Sequence, residues 1–480
     1  MARKKIAWIS AGMAAAAVLS LLLFYPRQTN DTQIPSLLSR QIRFDTALIE
    51  RAWNEVASQA DLKRCIFRDR VNRFFTFQAV NCRVKYKKIS YQALLAPAGS
   101  RLEFELNAKK DSQLTFSLFN PQPEALKFIA KAAVSGKETI LLSRSIQGQM
   151  SKVEKILLPK TDGKTVRLIL ETQGRGVGAW VNPCQLQNRP RPRTVLILML
   201  DTLRADHVSA YGYRRLTTPA LDELAKGSLM FSRAFSTSSW TLPAHVSLFS
   251  GRDVLAHGVV APKSLIPSAL PLLAEKMQQK GFVTLAMTGG GFVDDQYGFY
   301  RGFQKYVNRI SDIFRRSAAE LLYRAFQSKV DDFSDQDLFI FLHTFQIHAP
   351  YKAPDSYYRA FNPKLDIKIK YIGGHLRLLR KSSAELPTAE SADRQKLIDL
   401  YDASILYSDQ ELLKPLLAYL SSSNRFNDAM VIVLSDHGEE FYDHGDWEHG
   451  HTLYQELTRI PLIIKLPQQK RGEIREKLFS

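Results

Sequence analysis

A hydroxyl residue, Thr241, lies two positions before Pro243, where a turn leads into a short helix-like run that ends at Gly251. A threonine on a turn just before a helix is well placed to act as a nucleophile, and the N–H groups that open the helix can hold an anion. Turns of this Thr-X-Pro kind also cap helices without any chemistry. The choice between the two interpretations therefore depends on the residues found elsewhere in the chain.

Two acidic residues follow apolar runs that have the pattern of buried strands. Asp201 ends one run, Asp436 follows a second one, and His437 comes directly after Asp436. Ligands bind beyond the carboxyl ends of strands in open α/β sheets, and a carboxylate there is costly unless it meets a cation. With the Thr241 hydroxyl, this set would supply three oxygens and one nitrogen, which suits Mn²⁺, Zn²⁺ or Mg²⁺. The alternative is that Asp201 caps the next helix and Asp-His-Gly is only a turn.

The elements that would position these residues form an α/β pattern over 194–480. Near-continuous apolar runs alternate with amphipathic helical patterns, which indicates a parallel sheet covered by helices on both faces. The expected strands are 194–200, 282–288, 338–345, 429–434 and 460–466, and the expected helices include 219–226, 270–280 and 399–421.

The region before this domain has a different pattern of apolar and polar residues. Residues 28–63 read as a polar tether followed by a helix, and 64–188 contain short alternating runs between turn residues, which predict a jelly-roll-like β-sandwich. The stretch Arg189-Pro-Arg-Pro-Arg is typical of a stiff, solvated linker. We expect the sandwich to act as a spacer or structural partner, with glycan binding as the alternative.

The N-terminus, residues 1–27, predicts a transmembrane anchor. Three basic residues precede an uncharged run over 6–25, close to the roughly 20 residues that a helix needs to cross a bilayer. The positive-inside rule then puts the N-terminus in the cytoplasm and the rest of the chain outside, at the inner membrane of a bacterium. A cleaved signal peptide is the alternative, but the run continues to Phe24, which fits an anchor better.

Charge and cysteine content narrow the class of partner. The chain has 66 Lys and Arg against 47 Asp and Glu, and its net charge of +19 favours an anionic partner such as an ester substrate or lipid head groups. Nucleic acid is disfavoured because the basic residues are spread out and there is no zinc-finger spacing or aromatic–basic pattern. Cys65 and Cys82 could pair in an oxidising compartment, which would leave Cys184 free.

Several ordered segments over 194–466 resemble the sulfatase branch of the alkaline phosphatase superfamily. They are Leu200-Asp-Thr-Leu-Arg-Ala-Asp, Thr217-Thr-Pro-Ala-Leu-Asp-Glu, Thr241-Leu-Pro-Ala-His-Val-Ser-Leu-Phe-Ser-Gly-Arg, Ser435-Asp-His-Gly-Glu and Glu448-His-Gly-His-Thr-Leu-Tyr. The resemblance implies the family's α/β fold, a metal centre and a nucleophile at position 241. The family normally continues past the strand at 460–466, so a chain that stops at Ser480 could be truncated.

Departures from the family pattern bear on the chemistry that the resemblance implies. Sulfatases carry Cys or Ser, converted to formylglycine, where this chain has Thr241, and an Arg where it has His245. Thr202 replaces the second Asp of the opening pair, so the calcium site typical of sulfatases would lose a ligand. The set is similar to that of lipoteichoic acid synthases and phosphoethanolamine transferases, which use an anchor, an exported domain and a phospho-threonine. Their first ligand is usually Glu, from which Asp201 departs.

The resemblance also assigns roles to several histidines. His348 matches the family's substrate-binding His before Pro-Tyr, while His449 and His451 could bind substrate or complete a second metal site. His245 could contact the phosphate or replace the missing Arg, though a neutral imidazole would do so poorly.

Three hypotheses for function follow. The first is a metal-dependent enzyme that cleaves or transfers a phosphoester, on a lipid or glycan, through Thr241 at the outer face of the membrane. The second is hydrolysis of sulfate esters without formylglycine. The third is a catalytically silent scaffold with a glycan-binding sandwich, which the complete metal set disfavours.

Overall fold

The computed structural model describes residues 43, 45–60, 62, 66–67, 81–87, 89–108, 111–161, 165–187, 191–310, 317–364 and 392–480. The predicted anchor at 1–27 and Cys65 lie outside these ranges. Within them, no helix combines the length and the apolar character needed to cross a bilayer. Cys82 and Cys184 are buried and form no disulfide with any described residue.

The N-terminal part contains one helix and two antiparallel sheets that pack face to face. The helix is α1 (Thr46–Ser58), and the strands are β1 (Ile66–Phe67), β2 (Asn81–Tyr86), β3 (Ile89–Pro97), β4 (Arg101–Asn107), β5 (Ser112–Asn120), β6 (Leu126–Val134), β7 (Lys137–Ile146), β8 (Gln149–Met150), β9 (Glu154–Leu157), β10 (Thr165–Gly174) and β11 (Val177–Gln187). One sheet has the order β4-β10-β6-β7, and the other contains β1, β2, β3, β11, β5, β8 and β9.

Alternation of apolar and polar residues explains why these strands form a sandwich. In β4 the side chains of Leu102, Phe104 and Leu106 are buried while their neighbours are exposed or partly exposed. Trp180 lies between the two sheets, edge-on to the rings of Phe116 and Phe128 at centroid distances of 4.9 and 5.3 Å. The two inner faces therefore share one hydrophobic core.

The C-terminal part is a mixed α/β sheet, as in the predicted sulfatase-like core. Its strands are β12 (Thr194–Leu200), β13 (Leu229–Phe231), β14 (Ala234–Phe235), β15 (Val283–Met287), β16 (Lys305–Val307), β17 (Leu338–Thr344), β18 (Ala429–Leu434), β19 (Glu440–Phe441), β20 (Trp447–Glu448), β21 (Arg459–Ile460), β22 (Leu462–Lys465) and β23 (Glu473–Arg475). The main sheet runs β23-β13-β22-β18-β12-β17-β15-β16. Strands β12, β15, β17 and β18 are buried along their whole length, which is why their sequences are predominantly apolar.

One expectation about this sheet is wrong. The run at 460–466 was expected to be another parallel strand, but β22 pairs antiparallel with both β18 and β13. A strand buried on both faces is apolar in either orientation, so its residues do not reveal its direction.

Helices cover both faces of the sheet. They are α2 (Pro219–Ala225), α3 (Thr241–Ser250), α4 (Val254–His257), α5 (Leu273–Gln279), α6 (Ala318–Val330), α7 (Asp355–Phe361), α8 (Ala392–Ser408), α9 (Lys414–Ser422) and α10 (Gln455–Thr458), with a π-helical turn, Asp409–Leu413, joining α8 to α9. Asp409 is buried in that turn and accepts hydrogen bonds from Ala220 N and Leu221 N at 2.8 and 2.9 Å. It thereby caps α2, which is a packing role.

The two parts share one sheet. Strand β16 pairs antiparallel with β3, with Tyr306 opposite Ser90, so the α/β sheet continues into one sheet of the sandwich. The two parts are therefore joined by strand pairing as well as by the chain, and the predicted domain bounds themselves stay a prediction.

Candidate functional site

Thr241, Asp201, Asp436 and His437 meet at the carboxyl ends of two adjacent strands. β12 ends directly before Asp201, β18 ends two residues before Asp436, and the two strands are parallel neighbours. Thr241 is the first residue of α3, and all four side chains are buried. The positive end of the α3 dipole therefore faces the cluster.

The ligand atoms of this cluster lie at distances that suit one metal ion. His437 Nε2 is 3.3 Å from Thr241 Oγ1, 3.4 Å from Asp436 Oδ2 and 4.0 Å from Asp201 Oδ1. Tetrahedral coordination with bonds of about 2.1 Å separates neighbouring ligand atoms by about 3.4 Å. Among the described residues, Asp201, Asp436 and His437 are the group whose ligand atoms all lie within 4.8 Å of one another.

Each carboxylate has one satisfied and one unsatisfied oxygen. Asp201 Oδ2 accepts from His343 Nε2 at 2.9 Å, and Asp436 Oδ1 accepts from Thr202 N and His437 N at 3.3 and 3.0 Å. Asp201 Oδ1 and Asp436 Oδ2 are buried without a hydrogen-bond partner. An unpaired buried oxygen is costly, so the two oxygens fit a cation between them.

The pKa shifts reflect two acids held close together away from water. Burial, followed by the charge of Asp436, raises the pKa of Asp201 well above its usual range. Burial also acts to raise the pKa of Asp436, but the imidazoles of His437 and His245 outweigh it and lower this pKa to about 2. For His437, burial lowers the pKa, and the charges of Asp436 and Asp201 reverse this and raise it. A divalent cation would stabilise the ionised form of both acids.

Hydrogen bonds set the tautomers of the two nearest histidines. His437 Nδ1 donates to Gly438 O at 2.9 Å, which leaves the lone pair of Nε2 directed at Thr241 and the carboxylates. The N–H of Gly289 donates to His343 Nδ1 at 3.3 Å, so His343 Nε2 is the donor to Asp201. Burial lowers the pKa of His343 to about 4, which is consistent with a neutral ring.

His245 contacts the backbone of Thr241. It is fully buried one helical turn after Thr241, and its Nδ1 is 2.8 Å from Thr241 O and 3.6 Å from Asp436 Oδ2. Rings of Phe299, Phe341 and His343 surround it, and burial lowers its pKa to about 4. Its Nε2 is buried without a partner. These neighbours enclose the His245 ring. Its predicted contact with substrate stays a prediction.

A second group of histidines lies next to His437. The rings of His437 and His449 are 4.4 Å apart, and those of His449 and His348 are 4.9 Å apart. His449 Nδ1 is 2.9 Å from Glu439 Oε1, and His451 Nε2 is 2.7 Å from Glu440 Oε2. The structure thus brings His449 beside His437 and His348 beside His449, whereas His451 is engaged by a different carboxylate.

The family model described as Sulfatase matches residues 193–480. The chain belongs to the sulfatase family. That membership covers the α/β part and confirms the resemblance that the ordered segments predicted. The cluster at the strand ends and the helix that begins at Thr241 lie within this matched region.

Relatives of this sulfatase-family protein have more than one activity in their names. It is 32% identical to arylsulfatase A of Homo sapiens over 127 residues, which cover 23% of this chain and 25% of that protein. It is 22% identical to human iduronate 2-sulfatase, over 59% of this chain and 62% of the relative. It is 23% identical to phosphoethanolamine transferase EptC of Escherichia coli K12, over 52% and 40%. The chain spans about a quarter of arylsulfatase A and less than two thirds of the other two relatives.

Two solved structures of similar proteins come from bacteria. Phosphonate monoester hydrolase of Agrobacterium radiobacter matches with a TM-score of 0.47 and 19% identity, over 59% of this chain and 70% of that one. The soluble domain of lipooligosaccharide phosphoethanolamine transferase A from Neisseria meningitidis matches with a TM-score of 0.43 and 22% identity, over 58% and 78%.

Sequence reasoning did not assign the partners that hold the cluster in place. Neither the local patterns nor the resemblance assigned a role to His343, Ser435 or Glu439. Leu203 N donates to Ser435 Oγ at 2.9 Å, and Ser435 Oγ donates to His437 O at 2.6 Å, so one hydroxyl joins the two ligand-bearing loops. The order β18-β12-β17 puts these residues together, and that order is not visible in the sequence.

Proposed function

We propose that this protein is a metal-dependent enzyme that cleaves or transfers a phosphoester group with Thr241 as its nucleophile. The observation that carries the proposal is the position of the Thr241 hydroxyl, 3.3 Å from His437 Nε2 in a cluster with two unpartnered carboxylate oxygens. A threonine cannot become formylglycine, so the resemblance to transferases with a threonine nucleophile supports phosphoryl chemistry.

Asp201, Asp436, His437 and Thr241 would hold one divalent ion. Three oxygens and one nitrogen in a compact arrangement suit Zn²⁺, Mn²⁺ or Mg²⁺ better than Ca²⁺, which takes six to eight oxygens. When bound, the ion lowers the pKa of the hydroxyl and offsets negative charge on the substrate. His343 and the N–H groups of Thr202 and His437 would keep the carboxylates oriented towards it.

The reaction proposed for Thr241 has two balanced displacements. In the first, Thr241 Oγ1 forms a bond to phosphorus, the bond from phosphorus to the leaving oxygen breaks, and that oxygen takes the electron pair. The hydroxyl proton passes to solvent, and the leaving oxygen takes one up. In the second, the oxygen of water or of an acceptor hydroxyl bonds to phosphorus and gives up its proton, the bond from phosphorus to Oγ1 breaks, and Oγ1 takes up a proton to restore Thr241. The N-terminus of α3 stabilises negative charge in both steps.

His348 and His449 are the residues that we propose to bind the anionic oxygens of the substrate. They stand beside His437, and Glu439 accepts from Nδ1 of His449, which leaves Nε2 to face the substrate. His245, enclosed behind Thr241, would position the nucleophile and Asp436. His451 would act indirectly, because Glu440 holds its ring.

Hydrolysis of sulfate esters is the second candidate. The observation that favours it is the set of relatives, which includes arylsulfatase A and iduronate 2-sulfatase. The phosphoethanolamine transferase among the relatives supports the first candidate equally directly. The predicted anchor at 1–27 supports action at the outer face of the membrane on an anionic lipid or glycan ester.

A comparison of two aryl esters tests the proposal. Bis(4-nitrophenyl) phosphate and 4-nitrophenyl sulfate release the same chromophore, so their rates with Zn²⁺, Mn²⁺ or Mg²⁺ can be compared directly. We expect turnover of the phosphodiester, a phosphoryl adduct on Thr241 by intact-mass analysis, and loss of both in Thr241→Ala. Thr284→Ala is the control, since Thr284 is also buried but bonds to Gly302 O, away from the cluster. Full turnover in Thr241→Ala would disprove the nucleophile assignment, and turnover of the sulfate alone would favour the second candidate.

A further inference from the structure

Residues 289–297, named here the bridging segment, connect the metal cluster with the β-sandwich. The segment follows β15 and contains two short helical turns, Gly291–Val293 and Asp295–Tyr297. One end donates a hydrogen bond to His343, the partner of Asp201, and the other end contacts strands β2 and β3 of the sandwich.

The sandwich end of the bridging segment is a buried charged group. Asp295 is 2% exposed and its Oδ2 is 3.2 Å from Arg83 Nη1, while Ser90 Oγ donates to the same oxygen. Lys85 Nζ is 3.6 Å from Asp295 Oδ1. Arg83 and Lys85 belong to β2 and Ser90 to β3. A buried carboxylate of this kind holds its segment firmly, because separation from these partners would leave its charge without compensation.

The middle of the segment is attached to the strand that joins the two parts. Tyr306, on β16, donates its hydroxyl to Val293 O at 2.6 Å, and Tyr306 is itself opposite Ser90 in the β16–β3 pair. Arg309 Nε is 3.3 Å from Asp294 Oδ2. Gly290 has φ of +82°, and a Cβ there would lie 2.7 Å from Arg309 Cγ. Residues 293 and 294 of the segment are therefore held by one hydrogen bond and one ion pair to β16 and the loop after it.

The other end of the segment makes two contacts with residues next to the proposed metal site. The N–H of Gly289 donates to His343 Nδ1, and His343 Nε2 donates to Asp201 Oδ2 at 2.9 Å. The ring of Phe292 packs edge-on against Trp240 at 5.2 Å, and Trp240 directly precedes Thr241. The segment thus contacts both a partner of a ligand and the residue next to the nucleophile.

We infer that Arg83 and Ser90 are positioning residues for the metal site, which makes the β-sandwich a functional part of the enzyme. They hold Asp295, which fixes the bridging segment, and the segment directs the Nε2–H of His343 at Asp201. Residues that orient metal ligands in this indirect way typically change metal affinity 10- to 100-fold when they are mutated. The inference rests on the proposed function, in which Asp201 is a ligand.

A purely structural interface predicts a different outcome. In that case any polar contact between the two parts would matter equally, including the one that Gln278 Nε2 on α5 makes to Gln92 Oε1 at 3.2 Å. Gln92 lies on β3, two residues from Ser90, but its partner is not part of the bridging segment. Gln92→Ala is therefore a control on the same strand at the same interface.

Calorimetric titration of the full chain with Zn²⁺ alone, and in parallel with Mn²⁺ alone, tests the inference without turnover. We expect the Kd for the metal to rise at least tenfold in Arg83→Met and several-fold in the milder Ser90→Ala. Arg83→Lys should recover part of the loss, because it keeps the charge beside Asp295. Gln92→Ala should bind metal like the unmodified protein. Unchanged affinity in both Arg83→Met and Ser90→Ala, or an equal loss in Gln92→Ala, would overturn the inference.

Hydrogen–deuterium exchange separates a failure of this inference from a failure of the proposed function. Peptides over 289–297 should exchange faster in Arg83→Met and Ser90→Ala, while those from β12 and β18 should not change. If the unmodified protein binds neither ion, the proposed function fails, and the exchange result alone decides whether the sandwich positions the segment. Equal exchange in all variants would then refute the coupling. If Arg83→Met does not fold, the metal affinity and the exchange rates of Ser90→Ala test the inference in its place.

Discussion

Two pairs of buried acidic residues lie close together in this protein, and they differ in how their oxygens are used. Asp201 and Asp436 each keep one oxygen without a partner. Glu439 and Glu440 are equally buried, but both are engaged by other groups. Those groups are the His449 ring and Tyr351 hydroxyl for Glu439, and the His451 ring and the N–H groups of His444 and Asp446 for Glu440.

The difference shows that burial and residue type alone do not identify a metal site. A carboxylate whose oxygens accept hydrogen bonds is already stabilised, so a cation offers it little. Asp201 Oδ1 and Asp436 Oδ2 accept no hydrogen bond, and a cation between them would stabilise both. Glu439 and Glu440 instead orient histidines and the backbone beside the site, which is a supporting role.

The largest expected effect comes from breaking the first pair. Asp436→Ala removes an unpartnered oxygen and the acceptor for Thr202 N, so we expect loss of stoichiometric metal binding and a fall in phosphodiesterase kcat/KM of more than about 100-fold, beyond the range of supporting residues. Calorimetric titration and steady-state kinetics measure the two effects.

Glu440→Gln is the matched control for that variant, because it removes a buried charge of the satisfied pair. Glutamine keeps an oxygen for the N–H groups of His444 and Asp446, so metal stoichiometry should stay at the unmodified value. If Glu440→Gln abolished metal binding while Asp436→Ala kept it, the comparison between the pairs would be reversed.

The contrast between the pairs shows which features of the site could be predicted from the sequence. Asp201 and Asp436 could be predicted because each follows a continuous apolar strand, and parallel neighbours bring such residues to one edge. Which of their oxygens lack partners depends on His343 and on backbone N–H groups, and thus on strand order. The Thr-X-Pro turn indicated Thr241, and the resemblance contributed His348; both rest on local motifs, which need no knowledge of strand order.

Pairings distant in the chain could not be predicted. Strand β16 has only three residues, and its partner β3 lies in the other half of the fold, so no local pattern indicates their contact. The role of Asp295 depends on that contact, because it is β2 and β3 that bring Arg83 and Ser90 to it. Burial patterns report that a strand is covered, but they do not report what covers it.

A smaller effect is expected when a residue of the satisfied pair loses its charge. Glu439→Gln keeps a carbonyl oxygen for His449 Nδ1 but removes the charge that strengthens this hydrogen bond, so we expect kcat/KM to fall about 10-fold, at the low end for a supporting group. Metal stoichiometry should not change. Kinetics at saturating metal measure the loss, and a loss seen only at sub-saturating metal would show instead that Glu439 acts on the ion.

A third kind of buried acid accepts hydrogen bonds but forms no ion pair with a described residue, and its expected effect is on stability and not on the reaction. Burial raises the pKa of Asp409 to about 6, above the usual value near 4, although Ala220 N and Leu221 N donate to it. The folded state therefore holds this proton more tightly than the unfolded state, and the stability that it contributes is present below about pH 4 and lost as pH rises through 6.

Asp409→Asn tests this sign, because asparagine cannot ionise but still offers one acceptor oxygen to α2. Two units of pKa correspond to about 3 kcal/mol, an upper figure that one lost hydrogen bond would reduce. We expect urea unfolding at pH 4, 5, 6 and 7 to show a less steep decline in the free energy of unfolding for the variant than for the unmodified protein. Identical slopes would mean that the two N–H donors already compensate the charge, and Asp409 would then belong with Glu440 as a satisfied acid.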